Sequence, residues 1–233
     1  MKRILLPYLA VIAAILAMAL LSGSLRGNAV PASREGGRLI YIDPGHGGED
    51  GGAISVTGEP ESEVNLAISL RLRDLLRLCG LETAMTREGD YALYDPDCAT
   101  VARKKSSDLH NRAALLNACP GAVLLSIHQN HFPEAKYHGA QVFYNDASGS
   151  QGLAESIQEA LRQGVDPGNR RQIKRSESVY LMEHISNIAA LVECGFLSNR
   201  EEAALLQEAA YQQKIACGIC AGLLRYLNAE VLL

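Results

Sequence analysis

The most constraining stretch is Leu39 to Gly48, Leu-Ile-Tyr-Ile-Asp-Pro-Gly-His-Gly-Gly. Leu39 to Ile42 is a short β-branched and aromatic run and reads as a buried strand. It is cut off at Asp43-Pro44-Gly45, because proline cannot donate to a central ladder. His46 therefore sits on a tight turn at a strand's carboxyl end, between glycines that let other groups come close. In open α/β sheets, ligands bind outside that end of the strands. One imidazole there decides nothing by itself; its meaning depends on what else the chain brings to the same edge.

Beyond this turn, helix and strand patterns alternate. Val64 to Leu78 places Val64, Ile68, Leu72, Leu75 and Leu76 at helical spacing, with Gly80 as its stop. Leu81 to Arg87 reads as a strand, and strand–helix–strand implies a right-handed parallel crossover. Glu88 to Ser107 is polar and mixed in charge and reads as a long connection. Ser107 or Asp108 caps an expected helix to Ala118. Ala122 to Ile127 is the most apolar strand, hence central. Gly139 to Tyr144, Val179 to Met182 and Ile188 to Val192 read as further strands. Ser150 to Gln163 reads as an amphipathic helix. Asn199 caps another to Glu208, and Tyr211 to Leu227 forms the last. The pattern predicts an α/β fold: one domain with an open, mostly parallel, twisted sheet of about six strands and helices on both faces.

The amino-terminal segment has a different character. Lys2 and Arg3 precede an apolar run from Ile4 to Leu21. As a helix it spans ~27 Å, enough for a hydrocarbon core. Residues 1–21 read as a signal or membrane-anchor segment, in or through the membrane, with the rest of the chain outside. Residues 22–37 are rich in Gly, Ser, Ala and Pro and read as a linker. Residues 38–233 then form one domain, large enough for one substantial core. A net charge of -4 and the absence of Trp exclude a general nucleic-acid binder. The six cysteines lie mostly in apolar periodic stretches and do not resemble a disulfide framework. Cys217-Gly-Ile-Cys220 has metal-type spacing but lies mid-helix without a second pair.

Three strands of parallel type end in ionisable side chains: His46, His128 in Ser-Ile-His-Gln-Asn, and Glu193 in Val-Glu-Cys-Gly-Phe. Two imidazoles on one edge suggest zinc, which takes His nitrogen and carboxylate oxygen. A third ligand belongs near the same edge. Glu59, Glu61 and Glu63 all stand between the first turn and the first helix, and pattern alone does not choose among them. His131, three residues after His128, is a weaker candidate. His110, His138 and His184 read as surface or edge residues, and Arg170 to Arg175 as a basic cluster, first a solvated face and second a contact for acidic groups of glycan or peptide.

Three ordered motifs carry a resemblance: Asp43-Pro-Gly-His-Gly-Gly, Ser126-Ile-His-Gln-Asn130 and Val192-Glu-Cys-Gly-Phe-Leu-Ser-Asn199. Together they resemble the zinc-dependent N-acetylmuramoyl-L-alanine amidases, over roughly Leu39 to Leu227. The resemblance implies one Zn2+ per chain on His46, Glu61 and His128, with Glu61 identified by its place before Leu66 and Glu63 second. It implies Glu193 as the base that takes a proton from water and returns it to the leaving amine. The implied substrate is peptidoglycan: the amide joining the lactyl group of N-acetylmuramic acid to L-alanine of the stem peptide. Gln129 stands where the family has a small residue, and is expected to narrow the site. Thr86, Arg87, Asp90, Arg112 and Asn117 match family positions without a catalytic role.

The segment from Asp90 to Asp108 and the lack of a wall-binding module resemble the spore-cortex amidases. There the amidase acts before a separate deacetylase on the way to muramic-δ-lactam. An activating protein partner is compatible with a segment that covers the metal. Two other readings stand beside this one: an inert wall-binding or regulatory protein on the same fold, and a zinc peptidase or deacetylase of the wall.

Overall fold

A computed structural model describes residues 38–230; the expected segments 1–21 and 22–37 lie outside the described residues. Six strands form one sheet: β1 (Ile40–Pro44), β2 (Thr83–Met85), β3 (Val123–Asn130), β4 (Gln141–Tyr144), β5 (Lys174–Arg175) and β6 (Ile188–Phe196). Six helices accompany them: α1 (Glu61–Leu78), α2 (Val101–Asn117), α3 (Ser150–Gly164), α4 (Tyr180–His184), α5 (Arg200–Gln207) and α6 (Ala209–Glu230). The strand order is β2-β1-β3-β6-β4-β5. The first four are parallel, β4 runs antiparallel to β6, and β5 is parallel to β4. The carboxyl ends of β1, β3 and β6 therefore share an edge with the amino ends of β4 and β5. The expected mostly parallel α/β sheet is the one observed.

The two faces are covered unequally. On one, α1, α3 and α6 bury Ile68, Leu72, Ile157, Ile219 and Leu223 against Ile40, Ile42, Leu125, Ile127 and Val192. Each such side chain contributes about 1.5–3 kcal/mol by leaving water. On the other face, α2 and α4 cover a smaller core of Tyr41, Leu124, Ala189 and Leu191 with Leu116, Leu181 and Met182. Because side chains alternate along a strand, this second face reads Leu124, Ser126, His128 along β3. It reads Tyr41, Asp43 along β1 and Ala189, Leu191, Glu193 along β6. Each strand runs from apolar at its amino end to ionisable at its carboxyl end.

Two local expectations are corrected. Val179 to Met182, expected as a strand, lies mostly within the helix α4. A short apolar run fits either period. Here the His184 ring stacks on Tyr180 at 3.8 Å and its Nδ1 lies 2.8 Å from the Tyr180 carbonyl, favouring a helical turn. The helix expected from Ser107 or Asp108 begins at Val101, where Thr100 caps it by accepting from the Arg103 N–H. The connection is thus shorter than its polarity suggests. Lys174 and Arg175, read as part of a basic cluster, form the edge strand β5, where exposed cations guard an open edge.

Candidate metal centre

His46 has φ +62, the left-handed region, and is the single non-glycine residue with positive φ among the described residues. Such backbone is uncommon for a residue with a side chain and persists when its surroundings impose it. Here two buried arginines do so. Arg112 donates to the carbonyls of Pro44 (2.9 Å) and His46 (2.7 Å), and pairs with Asp43 (2.6 Å) and Asp108 (2.7 Å). Arg87 donates to the carbonyls of Pro44, Gly45, Ser62 and Gly89 at 2.9–3.0 Å. Asp43 also accepts from Thr86 (2.7 Å) and Ser126 (2.8 Å). Burial alone would raise the Asp43 pKa, but Arg112, Thr86 and Ser126 hold it below the usual carboxylate range.

His128 needs no such frame, because it stands in β3 opposite Glu193 in the parallel register. Glu61 is the first residue of α1. Its two oxygens accept from the backbone N–H of Ala53 (3.1 Å) and Gln129 (3.1 Å), so the carboxylate is fixed from both sides. His46 Nε2 lies 3.3 Å from Glu61 Oε2, and His128 Nδ1 lies 3.0 Å from Glu61 Oε1. One ligand atom from each of the three residues lies within 4.8 Å of the others. Nitrogen and oxygen donors ~2.0–2.1 Å from a tetrahedral ion stand roughly 3.3 Å apart, so the set fits zinc. The glycines fit too. A Cβ on Gly45 would meet the His128 ring at 2.2 Å, and one on Gly52 would meet Glu61 at 2.6 Å.

The electrostatics point the same way. Burial lowers the His46 pKa, but bonds to Asp50 and Glu61 raise it to about 9. Burial likewise opposes ionisation of Glu61, yet the two imidazoles drive its pKa far below the ordinary value. The site thus calls for positive charge, which protons or a dication supply. Asp50 Oδ2 lies 2.9 Å from His46 Nδ1 and holds the ring with Nε2 turned toward Glu61, a role that ligating histidines commonly require. Sequence reading missed Asp50; the available signal was an acid four residues after the histidine.

Burial pushes the Glu193 pKa up to about 7, with Glu61 adding to the rise and the imidazoles opposing it. Its Oε2 is buried with no hydrogen-bond partner among the described residues. A carboxyl balanced near neutrality with a free oxygen suits proton transfer.

The remaining candidates fall elsewhere. Glu63 and His131 are exposed, and neither Glu59 nor Glu63 joins the cluster. His110 and His184 lie on the surface beside Tyr180, and His138 is 3.6 Å from Asp166. Cys217 is exposed and Cys220 buried, and among the described residues neither belongs to a metal-type group. Gln129 does not narrow the site: its side chain turns to the opposite face and donates to Asn65 (3.1 Å). Asn65 in turn donates to the Gly45 carbonyl (3.2 Å) and Glu61 (3.3 Å). The Asp90 segment packs on the histidine turn, where Gly48 N–H donates to Asp90 (2.8 Å). No helix among the described residues is long and apolar enough to cross a membrane.

Residues 40–225 match a family model described as N-acetylmuramoyl-L-alanine amidase. The chain is 41% identical over 196 residues to the germination-specific N-acetylmuramoyl-L-alanine amidase of Bacillus subtilis, covering 83% of this chain and 81% of that one. It is 27% identical over 248 residues to the amidase AmiA of Escherichia coli, covering 87% and 81%. Among solved structures it is similar to the CwlD amidase of Clostridioides difficile in complex with the GerS lipoprotein. The TM-score is 0.80 at 39% identity, covering 82% of this chain and 99% of that one.

Proposed function

We propose, for a chain that belongs to the N-acetylmuramoyl-L-alanine amidase family, that His46, Glu61 and His128 hold one zinc ion and that Glu193 is the general base. The bond hydrolysed joins the N-acetylmuramic acid lactyl group to L-alanine of the peptidoglycan stem peptide. Bound zinc supplies Lewis acidity at the scissile carbonyl and lowers the pKa of water toward ~7. Glu193 accepts the proton of the attacking water on its free Oε2. It then returns that proton to the departing alanine nitrogen, which leaves as an amine. Asp50 orients His46, and the Arg87 and Arg112 frame keeps the His46 turn in its strained conformation.

The observation that carries this reading is the convergence of three ligand side chains beside a carboxyl with a buried, unpartnered oxygen. Similarity to a germination-specific amidase supports a role in the spore cortex, before a deacetylase on the way to muramic-δ-lactam. Action outside the cytoplasmic membrane fits a wall substrate, with residues 1–21 as signal or anchor and 22–37 as linker. The solved complex of the C. difficile relative with a lipoprotein supports an activating protein partner here as well.

The test is muropeptide mass analysis after digestion by the full chain, with and without added zinc. The expected product is glycan stripped of whole stem peptides, with activity lost on chelation and restored by zinc. Glu193→Gln should retain zinc and lose about 10²–10⁴-fold in rate. Loss of acetyl groups or of single terminal residues would instead identify a deacetylase or peptidase. A Glu193→Gln protein as fast as the parent would remove Glu193 from the role.

A further inference from the structure

We propose that Arg171 is a specificity-determining residue that binds a carboxylate of the substrate peptide two to three residues beyond the hydrolysed amide; this rests on the amidase reading. The placement comes from the sheet. β4 and β5 run against β6, so their amino ends lie on the rim that carries the metal centre. Gln141, first in β4, pairs with Glu193 across the antiparallel ladder. Directly opposed residues present their side chains on one face, with Cβ atoms ~5 Å apart. His128, Glu193 and Gln141 therefore form one row across three strands.

Arg171 continues that row. Its Nη1 donates to Gln141 Oε1 (3.1 Å) and its Nε donates to the His138 carbonyl (2.9 Å). The guanidinium lies over Phe196 at 4.4 Å and over Tyr137 at 5.8 Å. Phe196 faces the same side as Glu193 because β6 contributes one extra residue between the pairs His128↔Glu193 and Asn130↔Phe196. The guanidinium is thus fixed on the catalytic face, one strand away from Glu193.

Its counter-ion is what the protein does not provide. Among the described residues no carboxylate lies within 4 Å of Arg171. The acids nearby are committed: Glu202 accepts from the N–H groups of Gly139 and Phe196, and Asp166 stands beside His138. The contrast with the other two arginines is direct. Arg112 has two carboxylates, and Arg87 spends its donors on four carbonyls. Arg171 uses two of five N–H donors. The rest lie on the Nη1/Nη2 side, the planar fork that binds a carboxylate through two bonds. Stacking on two rings holds that fork at little entropic cost, and Lys136 above Tyr137 adds positive charge.

The reach fixes the position read. A strand spacing plus the Gln141 side chain puts the fork roughly 10 Å from the Glu193 carboxyl. Extended peptide covers ~3.3–3.6 Å per residue, so a carboxylate on the second or third peptide residue arrives there.

The test uses the full-length, zinc-loaded protein and N-acetylmuramoyl-L-alanyl peptides matched in length. They differ in bearing free carboxylates or the corresponding amides on the second and third residues. The wild type should prefer an acid by about 10- to 100-fold in kcat/KM, the range of a charge-assisted bond. Arg171→Gln should lose that preference through KM, with kcat within about twofold, and should slow the acid peptide far more than the all-amide one. Arg171→Lys should restore part of it. Equal rates of the wild type on acid and amide overturn the proposal whether or not a variant folds. So does an Arg171→Gln protein that slows on both peptides alike, the signature of a clamp that only ties the 131–139 loop to β4. Cleavage of neither peptide by the wild type overturns this proposal, and the amidase reading falls with it when stem-peptide release in the muropeptide analysis fails as well, whereas cleavage without discrimination overturns this proposal alone.

Discussion

His46 and His128 offer imidazoles to the same point but are held there by different means. His128 sits in an eight-residue strand between two parallel neighbours, and the ladder itself sets its position. His46 lies beyond the end of β1 on a turn whose backbone its side chain disfavours. Its place is set by Arg87 and Arg112, which reach it from β2's far end and from α2. Register is local and cooperative, whereas the arginine frame is long-range and polar. The His46 side should therefore yield first when the protein is perturbed, an asymmetry that substitutions on either side can break or sharpen.

The largest effect should come from Arg112→Met. It leaves Asp43 and Asp108 buried without their counter-ion and releases the His46 carbonyl. Breaking a buried pair in this way costs about 3–5 kcal/mol. Denaturant unfolding at neutral pH reads that loss. The pH dependence has a definite sign. In the parent the Asp43 pKa is lowered, so its contribution is complete above the unfolded value near ~4 and is lost as pH falls through the folded value. In Arg112→Met the strongest influence lowering the Asp43 pKa is gone and burial is opposed only by Thr86, His128 and Ser126, so the pKa rises and protonation relieves the unpaired charge. The gap between parent and variant should narrow on acidification. A gap that widens would mean the frame is not held by this pair.

Gly45→Ala tests the other histidine. The added methyl would overlap the His128 ring, which makes room only by turning away from Glu61. Overpacking of this kind costs roughly 1–3 kcal/mol. Zinc titration by calorimetry should show weakened binding with a folded circular-dichroism spectrum retained. Asp50→Asn should be milder, since it removes a charge behind His46 and keeps the shape. Loss of such an outer partner costs about 10–100-fold in metal affinity. If it costs as much as His46→Ala, the arginines do not fix the turn on their own.

The same asymmetry explains what could be read from sequence. His128 and Glu193 were legible because each ends an apolar run, and a strand's carboxyl end is a place that periodicity finds. His46 was legible because Asp-Pro-Gly stops the strand just before it. Glu61 was not separable from Glu59 and Glu63 by pattern, because the difference lies in which carboxylate meets the N–H groups of Ala53 and Gln129. The Arg112–Asp43 pair spans 69 residues, a separation at which charge patterning carries no signal. The start of α2 was missed because polar residues dominate its first turns, and one threonine side chain marks its cap. α4 was missed because five residues do not establish a period.

The smallest quantity to be read is a coupling, and it tests whether the two halves are independent. Asn65, buried in α1, touches both. Its Nδ2 donates to the Gly45 carbonyl of the His46 turn and to Glu61, and its Oδ1 accepts from Gln129, the neighbour of His128. Asn65→Ala should cost about 1–3 kcal/mol, the desolvation penalty of the Gln129 amide and the Gly45 carbonyl left short of a partner. Its informative use is in a cycle with Asp50→Asn, read by zinc affinity. If the strand and the frame position their histidines separately, the two costs add within about 0.5 kcal/mol. A coupling well above that would mean Asn65 transmits the setting of the His46 turn to Glu61 and β3. The metal centre would then be one preorganised unit, and a protein partner acting on the frame would reach both imidazoles at once.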